Sequence, residues 1–428
     1  MSESVSRRSF AESAAKTAAI SAAPAFLPSL SAADTVNVGI IGVGTRGNYL
    51  VDRLYAGSGP MIKMLAVCDT YEGHRARAKD KVQTLGKNTP EVHIDYMDLL
   101  RNRDITTVVI ATPEHLHHSM TIAALKAGKN VYIEKPLAHT IEEGEEILKV
   151  ARQAKKLVQV GTQNRSNSLY QEAKKMVANG MIGDCHYVRA FWYRNALNTG
   201  APAWRYNIPA DTNEQNTDWK RFLGAAPKRA FDKNRYFQWR LYWDYSGGIS
   251  TDLLVHQTDI TNFVLGKTVP ASCMASGGVY RWSENDDRDV PDTISALYDY
   301  SDKFHLNYSC YLGNEQFGYG EQFCGNEGTL EVLNRQTLVF TPEKFYGKPP
   351  AHVAARQAVK VERPGNDNKA VEAHLRNLIE AVQGKTTELV APVEVGQQAA
   401  IGGHMATLSL RNGKRVLWDD RTRKYRFS

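Results

Sequence analysis

The chain has 428 residues, enough for two or three domains with a substantial core. With 42% hydrophobic and 23% charged residues it reads as a soluble globular protein. The formal charge of +7 sits partly in terminal segments (Arg7 and Arg8; Arg421, Arg423, Lys424 and Arg426), and no aromatic–basic repeat accompanies it, which argues against a nucleic-acid partner. Five scattered cysteines (Cys68, Cys185, Cys273, Cys310 and Cys324) have no CxxC or Cys/His metal spacing and imply no disulfide framework. Most lie in apolar runs and read as buried thiols.

The chain opens on Ser6-Arg7-Arg8-Ser9-Phe10, a twin-arginine pattern, followed by a mild alanine-rich stretch and then Ser31-Ala32-Ala33. Residues 1–33 therefore read as a Tat-type export signal, outside the fold. Lys16 and Pro24 interrupt the apolar stretch, so it makes a poor spanning helix, and no membrane span is expected.

The organising stretch is Val36 to Leu50, where an apolar, β-branched run leads into Gly42-x-Gly44-x-x-Gly47 and a helical segment, with Thr45 and Arg46 inside the loop. The first glycine lets the chain turn sharply. The second admits a pyrophosphate to the backbone, and the third lets helix and strand pack closely. A second apolar run, Ile62 to Cys68, ends at Asp69, whose carboxylate suits ribose hydroxyls. The acidic residue favours NAD over NADP, although Arg46 and Thr70 soften that preference.

Helix and strand patterns then alternate to Gly161: a helix from Tyr71 to Leu85, a short strand from His93 to Tyr96 with Asp98 capping the next helix, and a buried strand from Thr106 to Thr112. A helix opening at Glu114, a strand from Val131 to Ile133, a helix from Ile141 to Ala154 and a strand from Leu157 to Gly161 follow. The alternation predicts a doubly wound parallel sheet, with ligands beyond the carboxyl ends of the strands, where Thr112-Pro113, His115, His117 and Glu134-Lys135-Pro136 lie. His115, His117 and His118 cannot share one helical face and have no carboxylate at zinc-site spacing, so no metal is expected; one of them near the cofactor or substrate is the better reading.

Beyond Thr162, Gln163 and Arg165 begin a second unit with a strand from Cys185 to Trp192 and a cluster of aromatic and basic residues that includes Trp192, Tyr193, Trp204, Tyr236, Trp239 and Arg240. Aromatics suit sheet packing as well as the C–H faces of sugar rings, and the cluster as a whole leans towards sugar. Gly247-Gly248 precedes Asp252 and His256, which share one face if helical. His256 is suited to accept a hydroxyl proton and Lys135 to hold the oxygen as it becomes an alkoxide; which is the base stays open. Strands near 271–280, 293–300, 303–310, 319–324 and 329–333 read as a large sheet. Residues 345–366 read as a loop, and helices near 370–382 and 396–410 close the chain near the domain junction.

Gly42-x-Gly44-x-x-Gly47, Ala111-Thr112-Pro113-x-x-x-His117 and Glu134-Lys135-Pro136 together resemble the Gfo/Idh/MocA oxidoreductase family, over nearly the whole chain after residue 34. The resemblance implies an α/β fold: a Rossmann domain over 34–161 and, over 162–428, an α/β domain with a large, open, mainly antiparallel sheet. It implies hydride transfer between a tightly held NAD, or NADP, and a sugar, glycoside or cyclitol. Lys135, Asp252 and His256 would be catalytic. The expected cofactor residues are Gly42, Gly44, Thr45, Arg46, Gly47, Asp69, Thr112, Pro113, His117, Glu134, Lys135 and Gln163. The expected substrate residues are Lys135, Arg165, Tyr193, Trp204, Asp252 and His256. A dimer or tetramer through the large sheet is expected. The Tat route, which exports folded proteins, suits a periplasmic enzyme that carries its cofactor out. The alternative activity is an NAD-dependent glycosidase or lyase acting through a transient keto-sugar. A nonenzymatic sensor ranks last, because all three catalytic candidates are present.

Overall fold

The computed structural model describes residues 35–195, 202–284 and 286–428. The expected export signal at 1–33 lies outside the described residues. The first unit runs β1 (Val36–Ile41), α1 (Thr45–Ser58), β2 (Ile62–Cys68), α2 (Glu72–Gly86), β3 (Glu91–His93), α3 (Tyr96–Arg101), β4 (Thr107–Ile110), α4 (Glu114–Lys126), β5 (Asn130–Ile133), α5 (Ile141–Ala154) and β6 (Val158–Val160). Its six strands are parallel, in the order β3-β2-β1-β4-β5-β6. All four residues of β4 are buried, as a strand covered on both faces requires. Strand order reverses between β1 and β4, which opens a crevice at their carboxyl ends. Local capping differs from expectation: Asp95, not Asp98, caps α3 by accepting from the Met97 N–H, because the strand before it ends at His93. Thr140 and Glu143 form a capping box on α5.

The second unit adds α6 (Ser168–Ala178), β7 (Cys185–Asn195), α7 (Trp219–Leu223), α8 (Lys233–Phe237), a π-helical turn (Ser250–Leu254) continued by α9 (Val255–Leu265), β8 (Ser272–Gly278), β9 (Thr293–Tyr300), β10 (Phe304–Tyr311), β11 (Gly313–Gly325), β12 (Gly328–Leu333), β13 (Thr337–Pro342), α10 (Ala351–Ala354), β14 (Val359–Glu362), α11 (Asn366–Val382), α12 (Val393–Asn412), β15 (Val416–Asp419) and β16 (Lys424–Phe427). Ten strands form one sheet, β14-β13-β12-β11-β7-β10-β9-β8-β15-β16, antiparallel except where β7 meets β10. In β9 and β10 burial alternates residue by residue: one face packs on α6, α9 and α12, and the other faces outward. The segment read as a loop at 345–366 contains α10 and β14, which pairs with β13 at the sheet edge. Its alternation of half-buried valines with exposed Lys360 and Glu362 is too short to stand out in sequence.

The two units share cores. Val371, Leu375, Leu378, Ile379 and Val382 of α11 join the cluster formed by Leu50, Val51 and Leu54 of α1, and Arg53 reaches Glu372 at 2.7 Å. On α12, Val393 and Ala400 join the other side of the parallel sheet, and Gln397 donates to the Ile141 carbonyl at 3.0 Å. The closing helices thus pack back across the junction. A second tie comes from residues 202–249, which cross over the end of β2 as a strap. Thr217 bridges Tyr71, and the Asp218 N–H donates to the Thr70 carbonyl at 2.9 Å. The Glu72 N–H donates to the Asn216 carbonyl, also at 2.9 Å.

Candidate active site

A cavity of about 650 Å³ lies where the crevice of the parallel sheet meets the second unit. Its lining includes Gly42, Gly44, Thr45, Arg46, Asp69, Thr112, Pro113, Glu134 and Gln163 from or next to the first unit. Lys135, Trp204, Asp252 and His256 also line it.

The glycine loop is built for close approach. Gly42 has φ +82, and a Cβ there would stand 2.8 Å from the Ala111 carbonyl. A Cβ on Gly47 would stand 1.8 Å from the Gly42 carbonyl oxygen, so Gly47 serves helix–strand packing and does not itself line the cavity. At Gly44 a Cβ would meet only His74, at 3.4 Å, an ordinary contact. Packing within the protein therefore does not demand glycine there, whereas a phosphate approaching the backbone would. Asp69 accepts from the Val43 N–H at 2.8 Å, the Tyr71 N–H at 2.9 Å and the strap's Tyr236 hydroxyl at 3.1 Å. Burial alone would raise its pKa; His74 beside it and these N–H groups hold it below the usual carboxylate range. Thr112 Oγ1 and Gln163 Oε1 are buried and have no protein partner. A tight glycine loop, an ionised carboxylate past β2 and orphaned polar atoms in the cleft fit a dinucleotide. Arg46 is already balanced: its Nε and terminal nitrogen both lie 2.8 Å from Glu134 Oε1. It is thus committed away from a ribose phosphate.

The other half of the site depends on the turn at Gly247-Gly248. Gly248 has φ +73, and a Cβ there would stand 2.5 Å from Val290. The buried carboxylate of Glu114 accepts from Ser246 Oγ at 3.0 Å, the Gly247 N–H at 2.9 Å and Thr251 Oγ1 at 2.8 Å. This clamp fixes the π turn against the first unit. Lys135 Nζ donates to Asp252 Oδ1 at 2.8 Å and to the Asp252 carbonyl at 2.5 Å, and Arg240 Nε lies 3.2 Å from the same Oδ1. Burial opposes ionisation of Asp252, but the two cations hold its carboxyl far below the usual range. His256 follows one turn later. Burial, then the Lys135 and Arg335 charges, push its pKa well below that of free histidine, so the ring is neutral at physiological pH. Its Nδ1 is buried with no partner, and its ring lies 6.2 Å from that of Trp192.

Three expected site residues stand elsewhere. Tyr193 points to the outer face of the sheet, its hydroxyl 3.4 Å from Ser309, because Trp192 and Arg194 take the cavity side of the alternating strand. Arg165 is held by Asp259 at 2.8 Å and lies over Phe263. His117 does not line the cavity: its ring nitrogens lie 2.7 Å from the Pro136 carbonyl and 3.0 Å from that of Thr112, and burial lowers its pKa to about 4. Neither His115, packed between Phe222 and Tyr245, nor His118, paired with Glu146, reaches the cavity. Among the described residues no group of three His, Cys, Asp or Glu side chains could hold a metal ion. Trp204 does line the cavity, with φ +67, an uncommon conformation for so bulky a residue. Sequence reasoning gave no role to Arg335 or Glu114 and saw Arg240 only within the aromatic–basic cluster. The one signal for Glu114 was an acidic residue opening a helix, which reads as an ordinary dipole contact.

Residues 36–162 match the family described as "Oxidoreductase family, NAD-binding Rossmann fold", and residues 225–417 match its C-terminal alpha/beta domain. The chain is 32% identical to an inositol 2-dehydrogenase of Salmonella typhimurium over 150 residues, covering 35% of this chain and 43% of that protein. It is 32% identical to a glycosyl hydrolase family 109 protein of Shewanella amazonensis over 192 residues, covering 42% of this chain and 41% of that protein. The matched segments thus span less than half the length of these relatives. Among solved structures, levoglucosan dehydrogenase in complex with NADH and levoglucosan superposes with a TM-score of 0.69 at 18% identity, covering 90% of this chain and 99% of that one. Scyllo-inositol dehydrogenase from Lactobacillus casei, with bound NAD(H) and scyllo-inositol, gives a TM-score of 0.65 at 20% identity, covering 90% of this chain and 99% of that one. With a parallel sheet switching at a glycine loop, a ten-stranded sheet behind it and matches running through both units, the chain belongs to the Gfo/Idh/MocA oxidoreductase family.

Proposed function

We propose that the protein is an NAD(P)-dependent oxidoreductase acting on a hydroxyl-bearing carbon of a sugar, glycoside or cyclitol, with NAD the better fit. The observation that carries this reading is the convergence of Lys135, Asp252 and His256 on one cavity with the glycine loop. Bound nicotinamide would supply a hydride acceptor or donor. Gly42, Gly44, Thr45, Asp69, Thr112 and Gln163 would hold the dinucleotide. The Lys135 ammonium, fixed by Asp252, would donate to the substrate oxygen and favour its alkoxide form. Neutral His256 would accept the hydroxyl proton. Trp204 would contribute an apolar surface for a ring. The strap, tied to Asp69 and Thr70 through Tyr236, supports a firmly retained cofactor.

A second reading, a glycosidase or lyase that recycles its cofactor, is favoured by the similarity to the glycosyl hydrolase family 109 protein. One experiment separates the two. The purified protein, with and without added NAD, is titrated with sugars and glycosides while nicotinamide absorbance is followed. A lasting absorbance change supports the oxidoreductase; a cleaved glycoside without net change supports the recycling enzyme; neither, across the panel, defeats both.

Export by the Tat route to the periplasm is part of the proposal and rests on Arg7-Arg8. Loss of export in an Arg7→Lys/Arg8→Lys variant would test it. Assembly through the outer face of the ten-stranded sheet is also proposed. There Met274 pairs with Leu297 across β8 and β9, and both are exposed. Light scattering on Leu297→Arg should show smaller particles than the unaltered protein.

A further inference from the structure

The charge around the catalytic trio is out of balance for a neutral sugar. Three carboxylates line the cavity, and each already serves protein donors: Asp69 holds Val43, Tyr71 and Tyr236, Glu134 holds Arg46 and Tyr132, and Asp252 holds Lys135 and Arg240. The cations are in excess. Arg194, Arg240 and Arg335 line the cavity together with Lys135. Arg335 lies 5.2 Å and Arg194 5.7 Å from the centre of the Trp192 ring, and that ring adjoins His256. Arg240 bonds Asp252 through Nε, and its two terminal amino groups meet no acceptor among the described residues. The carboxylate facing Arg335 is Asp367, 3.4 Å from Nε but without a hydrogen bond and 43% exposed.

Arg335 is also placed at a cost. Asn334 (φ +50) and Arg335 (φ +59) are the two central residues of the turn joining β12 to β13, closed by the Gln336 N–H on the Leu333 carbonyl at 3.0 Å. Two left-handed residues make a turn in which glycine is the easiest second occupant. An arginine there is held in a strained backbone conformation. From that corner its side chain reaches the cavity.

A sugar hydroxyl both donates and accepts, and sites for neutral sugars offer free acceptors as well as donors. This end of the cavity offers arginine donors and no carboxylate free of a protein partner; its open acceptors are neutral ones such as His256 Nδ1. The ligand that satisfies it is rich in acceptors and negatively charged. Planar guanidinium groups pair best with a planar carboxylate, through two parallel hydrogen bonds. We infer that the substrate is an acidic sugar, a ring bearing a carboxylate such as a glycuronate, with the carboxylate held by Arg335, Arg240 and Arg194. This inference rests on the oxidoreductase reading of the same site.

The test reads binding separately from reaction. NAD-loaded protein is titrated calorimetrically with matched pairs: glucose and glucuronate, galactose and galacturonate, mannose and mannuronate. In at least one pair the uronate is expected to bind about tenfold tighter or more, as for a hydrogen bond to a charged group. The ratio should shrink with added salt, collapse in Arg335→Met and recover partly in Arg335→Lys. Arg194→Met serves if Arg335→Met does not fold. No uronate preference in any pair overturns the inference, as does a preference indifferent to all three substitutions or tighter binding of glucose 6-phosphate than of any uronate. Nicotinamide absorbance on the same samples keeps the two claims apart. Uronate binding without any absorbance change defeats the reaction but not the acidic ligand; absorbance change with neutral sugars alone defeats the acidic ligand but not the reaction.

Discussion

At the scale of single residues, His256 sets the clearest expectation. Its ring is buried, and Lys135 and Arg335 add positive charge nearby; both effects favour the neutral form. Protonation abolishes the proposed base, so kcat/KM should fall on the acid side, with a limb below the ordinary histidine value of about 6.5. Removing one cation in Arg335→Met should move that limb to higher pH. Rates measured above the acid-unfolding range, from about pH 5.5 to 9, would show it, and an unmoved limb would separate Arg335 from the ring. His256→Ala should lower kcat by about a hundredfold to ten-thousandfold, the usual worth of a general base. Asp252 carries a different burden. It neutralises Lys135 and Arg240, all three side chains being mostly shielded from water. Asp252→Asn leaves two cations facing a neutral amide and should cost about 3–5 kcal/mol of stability in denaturant unfolding, as for other broken buried pairs.

At the scale of elements, Glu114 and the strap set the geometry of the site. Glu114→Gln would place an amide donor among three hydroxyl and N–H donors and loosen the π turn that carries Asp252. The expected loss is about 1–3 kcal/mol of stability, with kcat falling more than KM rises. Tyr236→Phe removes the hydroxyl's bonds to the Asp69 and Thr70 side chains and should speed cofactor release, read by stopped-flow displacement. The elements themselves were largely legible. The inner strands of the parallel sheet, β4 above all, are buried on both faces and appear as continuous apolar runs, and the outer sheet's longer strands show clear alternation. Short edge strands such as β14 and β16 have too few residues to declare a period. The site residues divide in the same way. Lys135, Asp252 and His256 sit in local patterns. Arg165 stands outside the cavity lining because it pairs with Asp259, 94 positions away in sequence, and an aromatic cluster does not say which face of a strand Tyr193 takes. Arg335 reaches the site from a hairpin corner whose place in space only the sheet order decides.

Across the whole molecule, buried histidines dominate the response to acid. Burial lowers His117 and His374 to about 4, His115 and His404 to about 3, and His256 as well. In the unfolded chain each titrates near 6.5, so below that pH the unfolded state binds more protons and stability falls as pH falls. Glu321 acts the other way: burial raises it to about 7, so the folded state takes its proton first. Between about pH 6 and 4.5 the five histidines outweigh Glu321 by about four protons, at ~1.4 kcal/mol each per pH unit, and the buried carboxyls of Glu114 and Asp259, raised in the same way as Glu321, trim the loss to a few kcal/mol per unit. Circular dichroism against pH should show cooperative unfolding near pH 5, and full structure persisting at pH 4 would contradict it.

The cores shared across the junction also bear on how the chain is made. The apolar face of α1, with Leu50, Val51 and Leu54, is covered by α11, more than three hundred residues later. While the ribosome is still adding the second unit, the strands of the first unit cover only part of that cluster, and the side that takes α11 stays open. The dinucleotide fold therefore cannot mature in the order in which it is synthesised, and it waits for nearly the last helix. A chain cut at residue 161 should emerge sticky and aggregate, although it contains every strand of its own sheet. Supplying α11 and α12 in trans should rescue it only if they can dock without the sheet between them.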